Sequence, residues 1–314
     1  QLLAIRPIST IYVFSGQMGQ YVPASFTGRV VADFVDVDSA KFEAYGQRDG
    51  GPKGWAERRE AACLAAEEAR LAQRADVSLL ISDAEAALFR SRLPVATLRQ
   101  CDVRTLGNGI DSDAFSPSGV TPEPQLGDMP FPRLIFTGQM DYAPNIEACL
   151  RAAKRILPLI RAEFPQASLH VVGRNPTDAL KALSGQNGVH IWGRVPEVQP
   201  WLAAADMALV PLEIARGVQN KVLEAMAMAL PVVLTPQAAT GIGGQDGRDL
   251  ILADSDQQLA AACVALLQDT ARARAMGEAA RDFVVSNASW SAALRDLAEI
   301  AGINPPPKQD AGLT

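Results

Sequence analysis

The sequence predicts an α/β protein built on doubly wound parallel sheets, and three observations predict it. Short runs rich in Val, Ile and Leu alternate with longer Ala-rich stretches of helical spacing. The apolar runs lack the strict alternation of a half-exposed sheet, as strands covered on both faces do. One stretch dense in Pro and Gly, residues 116–132, separates two such series.

In chain order, TIYVFSG (10–16) and RVVADFVDVD (29–38) are expected strands. A stretch without Gly or Pro from Trp55 to Arg74 is expected to be helical. The strand VSLLIS leads into the helix DAEAALFRSR, with Ser82 and Glu85 spaced as a capping box. After the linker come strand RLIFTG, helix PNIEACLRAAKRILPLIRAEF, strand SLHVVG, short helix ALKALSG and strand VHIWGRV. Helix VQPWLAAA, strand MALVPL, helix VQNKVLEAMAMA, strand PVVLT and helix QQLAAACVALLQD complete the alternation. These patterns give an N-terminal domain over 1–125, a second over 126–286, an amphipathic helix over 287–304 and a disordered tail over 305–314.

Composition excludes several classes. The 314 residues carry a net charge of -6, 48% hydrophobic and 20% charged residues, which fits a globular chain and argues against a nucleic-acid partner. Cys63, Cys101, Cys149 and Cys263 are scattered, so a reduced cytoplasmic setting is expected. Two histidines, His170 and His190, cannot build a structural zinc site without close cysteines, and both read as structural residues inside strands. No apolar run reaches the ~20 residues of a bilayer span, and the first residues lack the pattern of a signal peptide. The chain does not begin with Met, so a fragment or trimmed sequence is expected.

The most informative segment is ARGVQNKVLEAMAMALPVV, residues 215–233. A helix starting near Val218 would bury Val222, Leu223, Met226 and Ala229, with Lys221 and Glu224 on another stripe. A glycine before a helix start offers free N–H groups and a positive dipole end, which suits a diphosphate. Lys221 would add charge, and Glu224 a carboxylate for ribose hydroxyls. An ordinary solvated Lys–Glu pair is the competing reading.

Together with FTGQMDYAPN, LHVVGRNP and VHIWGRVPEVQPWLAAADMALVPL, this segment resembles the C-terminal domain of GT4-family glycosyltransferases. DFVDVDS, ISDAEAALFR and LGNGIDSDAF extend the resemblance over nearly the whole chain, most closely toward sugar transferases associated with exosortase (PEP-CTERM) exopolysaccharide systems. The resemblance implies a GT-B fold, two Rossmann-like domains facing across a cleft. The N-terminal one is expected to be incomplete, because the family's opening strand and Gly-rich loop have no counterpart. Residues 1–16 should then form a makeshift edge or pack poorly.

By the resemblance, Glu224 holds the donor ribose, Lys221 contacts the diphosphate, and the backbone of Gly217, Val218 and Gln219 cradles phosphate and sugar. Gly138 lets the backbone pass close to the donor, and Val195 lies where the family holds the nucleobase. The chain departs from the family at Arg216, where the E-x7-E pattern has its first carboxylate, and in GQMDYAPN, where the family often has Arg and Lys. Phosphate charge would then fall to Arg174, Arg194, Arg216 or Lys221, each arginine reading equally well as a surface residue. Where some members carry an active-site histidine, this chain has Val35, Asp36 and Asp38. Either aspartate could orient an acceptor hydroxyl or take its proton, or simply belong to a strand-end turn or helix cap.

Three D-x-D matches, at Asp36, Asp111 and Asp254, are too cheap in an acidic chain to imply a metal, and GT-B enzymes generally use none. Gly241, Gly243 and Gly244 read as a flexible loop rather than a dinucleotide fingerprint. The implied activity is retaining transfer of a sugar from a nucleoside-diphosphate donor to a glycan or lipid-linked hydroxyl, without cofactor, at the inner face of the membrane with possible peripheral contact. A non-catalytic nucleotide-sugar-binding module and a sugar-nucleotide epimerase stay as alternatives.

Overall fold

A computed structural model describes residues 5–215 and 217–303. Residue Arg216 and the tail expected over 305–314 lie outside the described residues. The chain divides into two compact units, residues 1–108 with 293–314, and residues 109–292.

The first unit holds a parallel four-stranded sheet: β1 (Thr10–Phe14), β2 (Arg29–Val35), β3 (Val77–Leu80) and β4 (Val103–Thr105), in the order β1-β2-β3-β4. Helices α1 (Asp38–Arg48), α2 (Gly51–Arg74) and α3 (Asp83–Arg92) connect the strands. Helix α2 starts earlier than Trp55, because Pro52 at its first turn needs no N–H acceptor. Ser82 caps α3 by accepting from the Glu85 N–H at 3.2 Å, but the reciprocal half of the box is redirected. The Glu85 carboxylate instead accepts from the Val37 N–H at 3.0 Å, tying α3 to the end of β2.

Both faces of this sheet are covered. Val30, Ala32 and Phe34 pack with Leu71 and Phe89, while Val31, Val77 and Leu79 pack with Ile300 from the chain's end. The Arg29 guanidinium donates to the Ile300 carbonyl at 2.7 Å, and the Thr10 hydroxyl to the Ala301 carbonyl at 2.9 Å. The helix expected over 287–304 is broken among its described residues into two short turns, Trp290–Ala293 and Leu297–Ile300. β1 and β4 are the edge strands, and in β1 Val13 is buried and Phe14 exposed.

The second unit is a six-stranded parallel sheet: β5 (Arg133–Thr137), β6 (Ser168–Val172), β7 (Val189–Gly193), β8 (Met207–Val210), β9 (Val232–Leu234) and β10 (Ile251–Leu252). Its order, β10-β9-β8-β5-β6-β7, reverses between β5 and β8. In open parallel sheets such a reversal, at the C-terminal ends of the strands, is where a ligand crevice forms. β5, β6 and β8 are buried along almost their whole length, as strands covered on both faces must be.

The helix expected after β5 is present as α4, made of Ala143–Arg151, a π-helical turn Ala152–Ile156 and Leu157–Glu163. Pro158 has no N–H to donate and would crowd the carbonyl four residues back, and the wider turn just before it relieves that conflict. Then follow α5 (Gln199–Ala204), α6 (Asn220–Ala227), α7 (Asp256–Gln268) and α8 (Thr270–Asn287). No local pattern in the chain announces α1, α8 or β10. α8 packs so tightly that a β-carbon on Gly277 would fall 2.0 Å from the Ala229 carbonyl oxygen. Its Arg281 donates to the Phe115 carbonyl at 2.8 Å and also to the Ala227 carbonyl at the end of α6.

Candidate functional site

The strand reversal in the second unit brings the end of β5 beside the start of α6. Gly138 directly follows β5 at φ 149°, and its N–H donates to the Val172 carbonyl of β6 at 3.1 Å. Gly173 directly follows β6, and its N–H donates to the Gly193 carbonyl of β7 at 2.8 Å. Glycine thus follows β5 and β6 and ends β7, leaving a strip of bare backbone along the C-terminal edge of the sheet.

Helix α6 begins at Asn220, not near Val218, because Gly217 is left-handed (φ 66°) and Gln219 still extended. Lys221 is therefore in the first turn, where the leading N–H groups have no intrahelical acceptor. Val222, Leu223 and Met226 face the core as the spacing predicts, with Ala229 lying beyond the helix end. Gly217 is exposed, while Val218 and Gln219 are half-buried. A β-carbon on Gly241, in the loop after β9, would meet the Val218 side chain at 3.0 Å, so that Gly-rich loop packs against the segment before α6.

Lys221 and Glu224 are not a solvated surface pair. The Lys221 ammonium donates to the Asn145 amide oxygen at 2.7 Å and lies 5.1 Å from the centre of the Phe136 ring. A β-carbon on Gly138 would fall 3.1 Å from Cε of the same lysine. Burial pulls the Lys221 amine down to about 8, against the opposing pull of Cys149 and Glu224. Burial pushes the Glu224 carboxyl up, with Lys221 pulling the other way. Among the described residues the Glu224 carboxylate makes no hydrogen bond or salt bridge.

Asn145 went unnoticed in the sequence, although it closes the motif GQMDYAPN. It is buried in the first turn of α4, where its Nδ2 donates to the Gln139 carbonyl at 2.8 Å. A polar residue on the core side of an apolar helix was the available signal.

The remaining candidates are distributed unevenly. Arg174 is exposed after β6 and donates to the Gln139 side chain at 2.8 Å, so it joins the loop beyond Gly138. Arg194 is exposed after β7, and Val195 packs half-buried on the core. Asp36 and Asp38 belong to the first unit. Asp36 is exposed after β2, while Asp38 opens α1, 3.7 Å from Lys41, where a carboxylate favours the helix dipole. The residue before them, Val35, holds φ 67°, a strained conformation for a β-branched side chain.

An ion cluster fixes the start of the loop before α6. Arg151 of α4 is buried, bonding Asp256 at 2.6 Å, the Asp254 carbonyl at 2.6 Å and the Pro211 carbonyl at 3.2 Å. Arg155 adds contacts to Asp256 at 3.0 Å and Glu213 at 2.8 Å. His170 is fully buried, receiving the Trp192 indole N–H at 3.1 Å on Nδ1 and meeting the Ser168 hydroxyl at 2.8 Å on Nε2. Burial lowers it to about 3, so it is a neutral core residue. Among the described residues no cluster of three or more His, Cys, Asp or Glu could hold a metal ion.

Residues 131–269, all within the second unit, match the family model described as Glycosyl transferases group 1. No curated protein matches the chain. Among solved structures, Anabaena Alr3699/HepE with UDP and glucose is similar at TM-score 0.62 and 17% identity, over 93% of this chain and 77% of that one. Sucrose-phosphate synthase from Thermosynechococcus elongatus gives 0.64 and 17%, over 95% and 74%. WaaG, a glycosyltransferase involved in lipopolysaccharide biosynthesis, gives 0.61 and 21%, over 90% and 80%. At such identities the likeness carries the fold, which is GT-B, with two Rossmann-like parallel-sheet domains.

Proposed function

We propose that this chain is a retaining glycosyltransferase of the GT4 kind that moves a sugar from a nucleoside-diphosphate-sugar to a hydroxyl acceptor. The observation that carries the reading is the meeting of bare Gly138 backbone, the start of α6 and the Lys221 ammonium at the strand reversal. A crevice at such a reversal suits a nucleotide, and leading helix N–H groups with a lysine suit its diphosphate. The family match over 131–269 and the UDP complexes of HepE support the same reading.

In this reading Lys221 and the start of α6 neutralise the charge that builds on the departing diphosphate. Glu224, one turn further along α6, accepts hydrogen bonds from the donor ribose. Gly217, Val218 and Gln219 offer backbone to phosphate and sugar, Val195 lies against the nucleobase, and Arg174, Arg194 and Arg216 supply further positive charge. Asp36 or Asp38 orients the acceptor hydroxyl or receives its proton. No metal takes part.

The acceptor class we assign is a glycan or lipid-linked hydroxyl in exopolysaccharide or related glycoconjugate assembly, at the cytoplasmic face of a membrane with peripheral contact. Among the described residues no helix is long and apolar enough to cross one.

The test is a transfer assay using UDP-, GDP- and ADP-sugars, with Glu224→Ala as control. Product from the wild type, abolished in the variant, supports the reading. Nucleotide binding without turnover in any combination would favour the non-catalytic module that Arg216, standing at the first carboxylate position, suggests.

A further inference from the structure

We infer that Asn145 is the positioning residue for Lys221: its amide holds the ammonium over the bare backbone of Gly138, ready for an anionic ligand. This rests on the donor-site reading above and deepens it.

The geometry is one-directional. Asn145 has one amide oxygen and one amide nitrogen to place, and the nitrogen is committed to the Gln139 carbonyl at 2.8 Å. That commitment turns the oxygen toward Lys221, which it meets at 2.7 Å. The residue is buried, so water does not compete for either contact. Gln139 directly follows Gly138, so the amide also couples the lysine to the loop whose missing side chain makes room for it.

A neutral acceptor is the chemistry this role needs. A carboxylate at position 145 would hold the ammonium too tightly and compete with phosphate for it. An apolar side chain would leave the half-buried amine only its longer contact with the Gln219 amide oxygen, at 3.5 Å. An amide holds the charge in place and leaves it uncompensated.

Among the described residues the titratable groups that act on Lys221 are Cys149 from α4 and Glu224 from α6 itself, while β5 contributes the Phe136 ring. Both groups pull the amine upward and burial pulls it down to about 8. Nucleotide affinity should therefore decline as pH rises through about 8, where the free protein's lysine loses its proton.

The experiment measures UDP affinity from pH 6.5 to 10 by calorimetry, with GDP and ADP in parallel, for the wild type, Asn145→Asp, Asn145→Leu and Lys221→Ala. Thermal melts verify that each variant folds. We expect Asn145→Asp to move the alkaline decline to higher pH and Asn145→Leu to move it lower, each with affinity at pH 7 reduced roughly ten- to hundredfold. Lys221→Ala should remove the decline. If both Asn145 variants bind more weakly with the decline unmoved, Asn145 is merely structural and the inference fails. Asn145→Asp, nearly isosteric, keeps the test decisive should the leucine variant misfold. Binding undisturbed by Lys221→Ala, or no binding by the wild type, would instead overturn the donor-site reading and the inference with it.

Discussion

The carbonyl oxygen of Gly138 lies 1.6 Å from where a β-carbon on Gly173 would sit, so β5 and β6 end in direct backbone contact. No side chain can occupy that position without moving one strand end. Gly173→Ala should therefore destabilise the protein by about 3 kcal/mol or more, as overpacking against backbone does. Thermal and urea denaturation read this directly, and a variant as stable as the wild type would contradict the close approach.

Lys221 gives a prediction of opposite sign for stability and binding. Its amine titrates at about 8 in the folded chain, below the ordinary 10.5, so the unfolded chain binds more protons between those values. Stability from this group is thus lowest below pH 8 and recovers as pH rises toward 10.5. Lys221→Met, of similar volume, should raise the ligand-free melting temperature at pH 7, lose that advantage near pH 10.5, and weaken nucleotide binding roughly ten- to hundredfold. A variant that melts lower at pH 7 while binding nucleotide normally would refute both halves.

Glu224 behaves similarly on the acid side. Burial raises its carboxyl above the ordinary 4.5, so ionisation costs stability at neutral pH, and that cost disappears as pH falls through the folded value. Glu224→Gln should leave the melting temperature at pH 7 equal or higher while reducing nucleotide affinity by roughly tenfold, the effect of one weakened charged hydrogen bond. Retained affinity with lost stability would mark Glu224 as a fold residue instead.

Arg151 and Arg155 share Asp256 but differ in burial. Removing Arg151 takes the donor from the Pro211 and Asp254 carbonyls and leaves Asp256 to the half-exposed Arg155 alone, and should cost about 2–3 kcal/mol. Removing Arg155, which is half exposed, should cost less than ~1 kcal/mol. Parallel denaturation of Arg151→Leu and Arg155→Ala tests the contrast, and equal costs would show that burial does not set the energetics here.

Much of the fold was legible because strands buried on both faces must be apolar throughout, so β5, β6, β8 and β9 stand out as runs. Helix α8 did not stand out, because its arginines and Gly277 interrupt the apolar periodicity. Gly277 has meaning only through Ala229, which no local pattern connects to it. The start of α6 was displaced by two residues because Gln219 stays extended, a backbone choice made by the loop. The capping pair Ser82 and Glu85 was half right, since Glu85 found a better donor in Val37, a residue distant in sequence.

Lys221 and Glu224 could be picked out from sequence as candidates, for a helix start preceded by glycine restricts what those side chains can do. Composition and the alternation of runs likewise determined the α/β class. What only the tertiary structure decided is whether the pair is solvated or buried, because that depends on which strand lies beside α6. The reversal between β5 and β8 sets Phe136, Gly138 and Asn145 against the lysine. Their separation of more than seventy residues along the chain carries no local signal, and burial and hydrogen bonding, unlike periodicity, are properties of neighbours in space.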